Sequence, residues 1–165
     1  MHGRIASLVA IAWLVSGHAT AACEMIDGTV LEPRLETRRP VRGENVHLTS
    51  GFGLRITPLL NERRLHSGID WAAPAGTQVI AAGVGRVVST TVSDELGNTV
   101  LIAHGGGWET LYGHLASFDV RDGDCVKFGT DIGRLGSTGR ARGPVLHFEV
   151  RRNGQPIDPL SLNVQ

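Results

Sequence analysis

The sequence contains little cysteine, few aromatic residues and no excess of charge of either sign. Its 165 residues include two cysteines, which are too few for a cysteine-rich zinc site. Sixteen basic residues balance sixteen acidic residues, so the chain has no net positive field with which to hold a polyanion. No apolar run reaches the roughly 20 residues that a membrane span needs. We therefore expect neither a nucleic-acid-binding protein nor a transmembrane anchor.

Glycine and short β-branched runs dominate the rest of the chain. It contains 22 glycines and seven prolines, and nothing after residue 22 sustains the 3.6-residue periodicity of an amphipathic helix. Turn-forming residues lie between the runs, at 74–76, 83, 97–98, 105–107 and 122–124. The runs predicted to form strands are residues 78–81, 86–90, 98–104, 109–114 and 145–151. The pattern predicts one all-β domain, built as a sandwich or a small barrel.

The first 21 residues have the composition of a secretory signal peptide. Arg4 precedes the apolar run 5–15, and small residues follow it up to Ala19-Thr20-Ala21, an A-x-A cleavage signal. We predict that the protein is exported to the periplasm or the extracellular space and that the signal is cleaved near Ala21.

The predicted export determines how the two cysteines are interpreted. In an oxidising environment an isolated pair most often forms a disulfide, so Cys23 and Cys125 are predicted to pair. Cys23 also directly follows the cleavage region, which raises lipidation as an alternative. Thr20 stands where a lipoprotein signal usually has a large apolar residue, so lipidation is the weaker interpretation.

Two short patterns contain side chains that bind metals. His66 and Asp70 are four residues apart, but Gly68 and Pro74 argue against a helix that would place them on one face. In an extended strand they would lie some 13 Å apart at about 3.3 Å per residue. Only a bend, expected at Gly68, would bring both to one ion. Alone, the pattern fits an unrelated surface pair as well as a metal site.

The second pattern is the run 145–150, in which polar and apolar residues alternate. Alternation places Leu146, Phe148 and Val150 on a core face and Val145, His147 and Glu149 on the other face. The same rule applied to residues 111–115 predicts that Tyr112 and His114 share a face. Each fragment by itself is also compatible with a packed or surface histidine.

Taken together and in order, these fragments resemble the lysostaphin-type (LytM-domain) zinc metallopeptidases, which cut peptidoglycan cross-links. The resemblance covers about residues 47–160. It rests on Ser50-Gly51-Phe52-Gly53-Leu54-Arg55, His66 to Pro74, Val100 to His104, Thr110 to Leu115, Gly136-Ser137-Thr138-Gly139 and Leu146 to Arg151.

The resemblance implies a compact antiparallel β domain, with the duplicated hybrid motif-like sandwich or open-barrel architecture and a groove on one face. It implies one Zn²⁺ per chain, held by His66, Asp70 and His147. A water would occupy the open fourth position, and the metal would lower the pKa of that water. His114 would assist that water as a catalytic residue, and His104 would be structural. The implied organisation is a signal peptide (1–21), an extended lead-in (22–46), the metallopeptidase domain (47–160) and a tail (161–165).

One position departs from the family pattern. The family's last motif is H-x-H, and Val145 occupies its first histidine, which serves catalysis. Valine cannot move a proton, and a general acid–base group contributes about 10²–10⁴-fold to a rate. One hypothesis is an endopeptidase acting on peptidoglycan peptides, with help from another residue such as Arg140 or Arg142. The other is an impaired module that binds peptidoglycan or regulates another cell-wall hydrolase or envelope complex. An incidental set of histidines in a secreted β domain is the third alternative.

Overall fold

The computed structural model describes residues 38–57 and 62–162. The predicted signal peptide and Cys23 lie outside these residues, so the Cys23–Cys125 disulfide and the cleavage site stay predictions. The strands are β1 (His47–Ser50), β2 (Gly53–Thr57), β3 (Glu62–His66), β4 (Ile69–Ala72), β5 (Gln78–Ile80), β6 (Gly85–Ser93), β7 (Gly97–Gly105), β8 (Trp108–Phe118), β9 (Cys125–Val126), β10 (Asp131–Leu135), β11 (Val145–Arg152) and β12 (Gln155–Ile157). A short 3₁₀ helix, η1 (Pro159–Leu162), follows them.

The strands form one large antiparallel sheet and one hairpin. The main path of the sheet runs β1-β4-β11-β8-β7-β6-β9, with β12 added to β11 and with β10 bridging β8 and β5. Among the strands of the described residues, β2 and β3 pair only with each other. The described residues contain no α-helix, and none of their helices is long and apolar enough to cross a membrane. The all-β prediction is confirmed, and the five predicted strands appear as β5, β6, β7, β8 and β11 with ends shifted by a few residues.

The hydrophobic core is a single cluster of buried side chains, most of which come from the strands of this sheet. Its largest fully buried side chains include Tyr112, Phe148 and Ile69, and Tyr112 pairs with Phe148 across β8 and β11. Val41 and Val46 are also buried in the core, although sequence reasoning placed them in the lead-in. Backbone hydrogen bonds fix this segment, since Arg42 N–H donates to Gln78 O at 3.0 Å. Packing against the sheet therefore begins before residue 47.

Candidate metal centre

A cleft of about 920 Å³ crosses the outer face of β4, β11 and β8. The β2–β3 hairpin forms one wall, and the turn after β6 and the loop between β10 and β11 form the other. His66, Asp70, His114 and His147 all line this cleft. The structure therefore brings together the four histidine and aspartate residues that the sequence marked.

A bend between β3 and β4 brings His66 and Asp70 into contact. The chain bends at Gly68, and His66 Nε2 lies 3.1 Å from Asp70 Oδ1. Glycine is required there by close approach, because a Cβ atom on residue 68 would lie 2.3 Å from the carbonyl oxygen of Phe148. The bend expected at Gly68 is present, and the structure adds the close approach to Phe148 as a reason for glycine at this position.

This contact predicts a stability cost for Gly68→Ala. The added Cβ meets backbone, which cannot move aside as a flexible side chain can, so we expect the free energy of unfolding to fall by about 1–3 kcal/mol. Urea denaturation of both proteins measures the change. Gly143→Ala is the matched control, because a Cβ at Gly143 meets nothing within 4 Å. Equal stability of the two variants would contradict the close-approach argument.

Strand β11 supplies the third residue. His147 is paired in register with Asp70 of β4 on one side and with Gly113 of β8 on the other. Its Nδ1 atom lies 2.8 Å from Asp70 Oδ1 and 3.1 Å from His66 Nε2. The predicted alternation is confirmed, because Leu146, Phe148 and Val150 belong to the core while His147 lines the cleft.

The three facing atoms, His66 Nε2, Asp70 Oδ1 and His147 Nδ1, form a nearly equilateral triangle with sides of 3.1, 3.1 and 2.8 Å. Ligands of a tetrahedral zinc at about 2.0–2.2 Å are separated by about 3.3–3.5 Å, so small side-chain shifts would suffice for binding. In the neutral form each imidazole would present a lone pair to the centre of this triangle. His66 Nδ1 donates to Gly51 O at 2.7 Å, and His147 Nε2 donates to Glu149 Oε1 at 3.0 Å. Such outer hydrogen bonds fix the tautomer of a metal-binding histidine. The donor set therefore fits zinc.

Glu149 is a part of this arrangement to which sequence reasoning gave no role. Its carboxylate is buried at 1% exposure and also accepts hydrogen bonds from Ser67 Oγ and from Arg151 Nε, the latter at 2.6 Å. Burial alone would raise the pKa of Glu149, but the bonds from His147 and Ser67 and the charge of Arg151 lower it below its ordinary value. Glu149 is thus an anion that orients His147. The signal was present in the alternation, which placed Glu149 beside His147.

Without a metal, contacts within the cluster favour the charged forms of His147 and Asp70. Burial opposes a charge on His147, but hydrogen bonds to Asp70 and Glu149 outweigh it and raise the pKa of His147 to about 9. Burial would likewise raise the pKa of Asp70, but hydrogen bonds from His147 and His66 hold it well below its ordinary value. A bound cation would take the place of the proton that these groups share.

His114 reaches the cleft through a bulge in β8. Its φ of 62° is in the left-handed region, which a non-glycine residue adopts rarely. The pairing of β7 with β8 shifts register between Asn98 and Val100, so the ladder skips His114, whose N–H instead donates to Leu96 O at 2.7 Å. Such bulges re-aim a side chain. The ring lies edge-on to His147, with centroids 6.1 Å apart.

The bulge overturns the prediction that Tyr112 and His114 share a face. Tyr112 is fully buried in the core, and His114 lines the cleft on the opposite side of the strand. The extra residue of the bulge shifts the two-residue repeat by one position. Strict alternation therefore failed at this one place.

One hydrogen bond sets the tautomer of His114. Its Nδ1 donates to Thr138 O at 2.8 Å, which leaves Nε2 without a proton. Burial lowers the pKa of His114, and the bond to Thr138 offsets this only in part, so the ring is neutral at pH 7. A neutral ring of this tautomer can accept a proton at Nε2.

The sequence profile of Peptidase family M23 matches residues 64–159, more than half of the chain, and this segment contains His66, Asp70, His114 and His147. The chain belongs to peptidase family M23. The resemblance to lysostaphin-type metallopeptidases is therefore confirmed at the level of the family.

Relatives and solved structures agree with the M23 assignment. The chain is 44% identical over 135 residues to the DD-carboxypeptidase/endopeptidase Mpg of Neisseria meningitidis serogroup B, covering 82% of the chain and 29% of that relative. The structure of a zinc containing peptidase from Vibrio cholerae superimposes with a TM-score of 0.74 and 36% sequence identity. The match covers 78% of this chain and 40% of the Vibrio chain. The catalytic domain of lysostaphin from Staphylococcus simulans gives a TM-score of 0.65 and 30% identity, and the match covers 73% of this chain and 94% of that domain. The chain spans less than a third of the Neisseria relative.

Within this M23 domain, Val145 stands on the cleft face as predicted. It is half-buried, lines the cleft and pairs with Ala72 of β4, and its N–H donates to Gly136 O at 2.9 Å. Arg140 and Arg142 line the cleft in the preceding loop.

His104, predicted to be structural, lies in a buried hydrogen-bonded chain away from the cleft. Its Nδ1 donates to Val84 O at 2.7 Å, and its Nε2 lies 2.7 Å from Thr110 Oγ1. The Thr110 hydroxyl lies 3.0 Å from that of Tyr112, which accepts a hydrogen bond from Ala82 N–H. Burial raises the pKa of Tyr112 to about 12, so its hydroxyl stays neutral. This series of hydrogen bonds gives each of these buried polar groups a partner inside the core.

The burial of His104 predicts that the stability of the fold depends on pH. Burial lowers the pKa of His104 below 6.5, and the bond to Val84 offsets this only in part, so the unfolded chain binds a proton more readily than the folded one. Its contribution to stability is complete above pH 6.5 and is lost as pH falls below 6.5, with a slope of up to about 1.4 kcal/mol per pH unit. Urea titrations at pH 5 to 8 should show a smaller acid loss in His104→Gln. Parallel pH profiles for the two proteins would contradict this origin.

Proposed function

We propose that this chain is an exported, zinc-dependent metalloendopeptidase that hydrolyses the peptide cross-links of peptidoglycan. The observation that carries the proposal is the triangle of lone pairs from His66, Asp70 and His147 at the floor of an open cleft. Three protein ligands with a free fourth position are typical of a catalytic zinc site and not of a structural one. The M23 relative from Neisseria, named a carboxypeptidase and endopeptidase, supports the same reaction class.

In this proposal His66, Asp70 and His147 hold one Zn²⁺, which would supply Lewis acidity at the scissile carbonyl and lower the pKa of water. The chain's own residues do the rest. Glu149 and the Gly51 carbonyl orient the two ligand imidazoles through the bonds described above. His114 accepts a proton at Nε2 and can return it to the leaving amine, because Thr138 holds its Nδ1 proton in place. The cleft admits an extended peptide along β11.

Val145 supports a second candidate function. A site with all three ligands but with valine at the position of a second histidine has one proton-transfer group fewer. The alternative is a module that binds peptidoglycan, or a wall hydrolase or envelope complex, in the same cleft with little or no turnover. The two candidates differ in whether new peptide ends form.

Mass spectrometry of peptidoglycan fragments distinguishes the two functions. We expect purified peptidoglycan incubated with the zinc-loaded protein to release cross-link cleavage products, and the same protein stripped of metal by a chelator to release none. Restoring zinc to the stripped protein should restore the products, which excludes damage by the chelator. Folded, zinc-loaded protein that yields no new ends after long incubation would favour the binding module.

A further inference from the structure

The charges in the cleft do not balance. Three acidic side chains line it, and each has a guanidinium partner. Arg55 Nη2 lies 3.8 Å from Asp70 Oδ2, Arg151 holds Glu149, and Arg64 pairs with Glu95 across the mouth of the cleft. Every carboxylate of the lining is therefore already neutralised.

Among the described residues, Arg140 and Arg142 are the arginines of the cleft lining that have no acidic partner. Both are exposed and line the cleft, and within residues 38–57 and 62–162 neither side chain makes an ion pair or a hydrogen bond. A bound Zn²⁺ would add further positive charge. The cleft thus carries an excess of positive charge at the wall formed by the β10–β11 loop, in a chain whose net charge is zero.

Hydrogen bonds hold the backbone of this loop in place, so both arginine side chains start from a defined position on the wall of the cleft. Arg140 N–H donates to Glu95 O at 3.0 Å, and the loop closes where Val145 N–H donates to Gly136 O at 2.9 Å. Within the loop, the backbone carbonyl of Thr138 accepts the hydrogen bond from His114 Nδ1. The two arginines therefore stand on the segment that positions the proposed catalytic histidine.

We propose that Arg140 and Arg142 form a carboxylate-binding subsite that selects substrates carrying a free carboxylate near the scissile bond. The proposal rests on the peptidase function proposed above and names a substrate feature for it. A guanidinium presents a planar fork of donors that matches a carboxylate in two hydrogen bonds. The ligand class is an anionic peptide, such as a stem peptide of peptidoglycan with its carboxylates unmodified.

The test compares one cross-linked muropeptide in two forms: with free carboxylates, and with those carboxylates converted to primary amides by carbodiimide and ammonia. Cleavage by the zinc-loaded protein gives KM and kcat, and calorimetric titration gives Kd independently of turnover. We expect the wild type to prefer the carboxylate form by about tenfold or more in KM and Kd. Arg140→Gln and Arg142→Gln should each lose about tenfold in KM and Kd for that form, with binding of the amide form unchanged. A fall in kcat on both forms alike, without a change in Kd, would assign the two arginines to catalysis and overturn the subsite.

Arg121→Gln is the matched control, because Arg121 is exposed and lies outside the cleft. An equal loss in this variant would overturn the proposal in favour of general attraction between charges. Cleavage of both forms with equal KM, or binding to neither form, would also overturn it. Preferential binding of the carboxylate form without cleavage would support the subsite and contradict the peptidase function, so the two proposals fail separately.

Discussion

Replacing His147 with alanine is expected to abolish stoichiometric zinc binding and to lower peptidoglycan cleavage by at least about 10³-fold. The substitution removes one of the three proposed ligands and leaves the Asp70 and Glu149 carboxylates without their shared imidazole. Zinc supplies several kcal/mol of transition-state stabilisation, and about 1.4 kcal/mol corresponds to a factor of ten in rate. Metal analysis of the purified protein and mass spectrometry of the digest measure the two losses.

His47→Ala is the control for that experiment. His47 is an exposed histidine of β1, outside the lining of the cleft, so its removal should change neither zinc content nor cleavage. Asp70→Asn is a second test with a smaller change of shape, and we expect it to lose zinc as His147→Ala does. One equivalent of tightly held zinc in a folded His147→Ala protein would contradict the ligand assignment.

Replacing Val145 with histidine is expected to raise the rate of cross-link cleavage by about 10²-fold or more. Residue 145 lies two positions before His147 on the same face of β11, about 6–7 Å along the strand. An imidazole there would project into the cleft near the metal ligands, and a positioned acid–base group contributes about 10²–10⁴-fold. The measurement is kcat on a purified cross-linked muropeptide.

Val145→Gln is the control, because glutamine fills the same space and forms hydrogen bonds but does not titrate. It should leave the rate near that of the wild type. A large gain for histidine alone would show that the remaining machinery of the site is competent. No gain from a folded, zinc-loaded Val145→His protein would support the binding module instead.

Local patterns were sufficient to predict five of the twelve strands in the described residues and the faces of β11, whereas the proposed ligand set came from the resemblance to the family. The alternation in β11 placed His147 and Glu149 on the cleft face, and the spacing of His66 and Asp70 required a bend that Gly68 provides. These inferences need only a two-residue repeat and one glycine. They concern neighbours in sequence, where backbone geometry decides which side chains share a face.

Other features depend on contacts between distant segments and could not be predicted. The bulge at His114 arises because Leu96 and Thr138 hold its backbone and its ring, and neither is close in sequence. The burial of Val41 depends on pairing with β5. Alternation placed Glu149 beside His147, but its hydrogen bond from Ser67, which lies 82 positions earlier, depends on the fold. Register and long-range packing, not propensity, decide each of these.

The geometry of the cluster also has a consequence for the behaviour of the whole chain. Asp70 and His147 are 77 positions apart in sequence, so one ion held by both closes a loop that contains strands β5 to β10. Closing a loop of that size by a permanent link removes about 4 kcal/mol of chain entropy from the unfolded ensemble. A bound ion stabilises the folded state reversibly, by an amount that grows with the logarithm of the free ion concentration and that shrinks if the unfolded chain also holds the ion. Metal supply would then set how long the domain survives heat and foreign proteases, separately from whether it cuts anything itself.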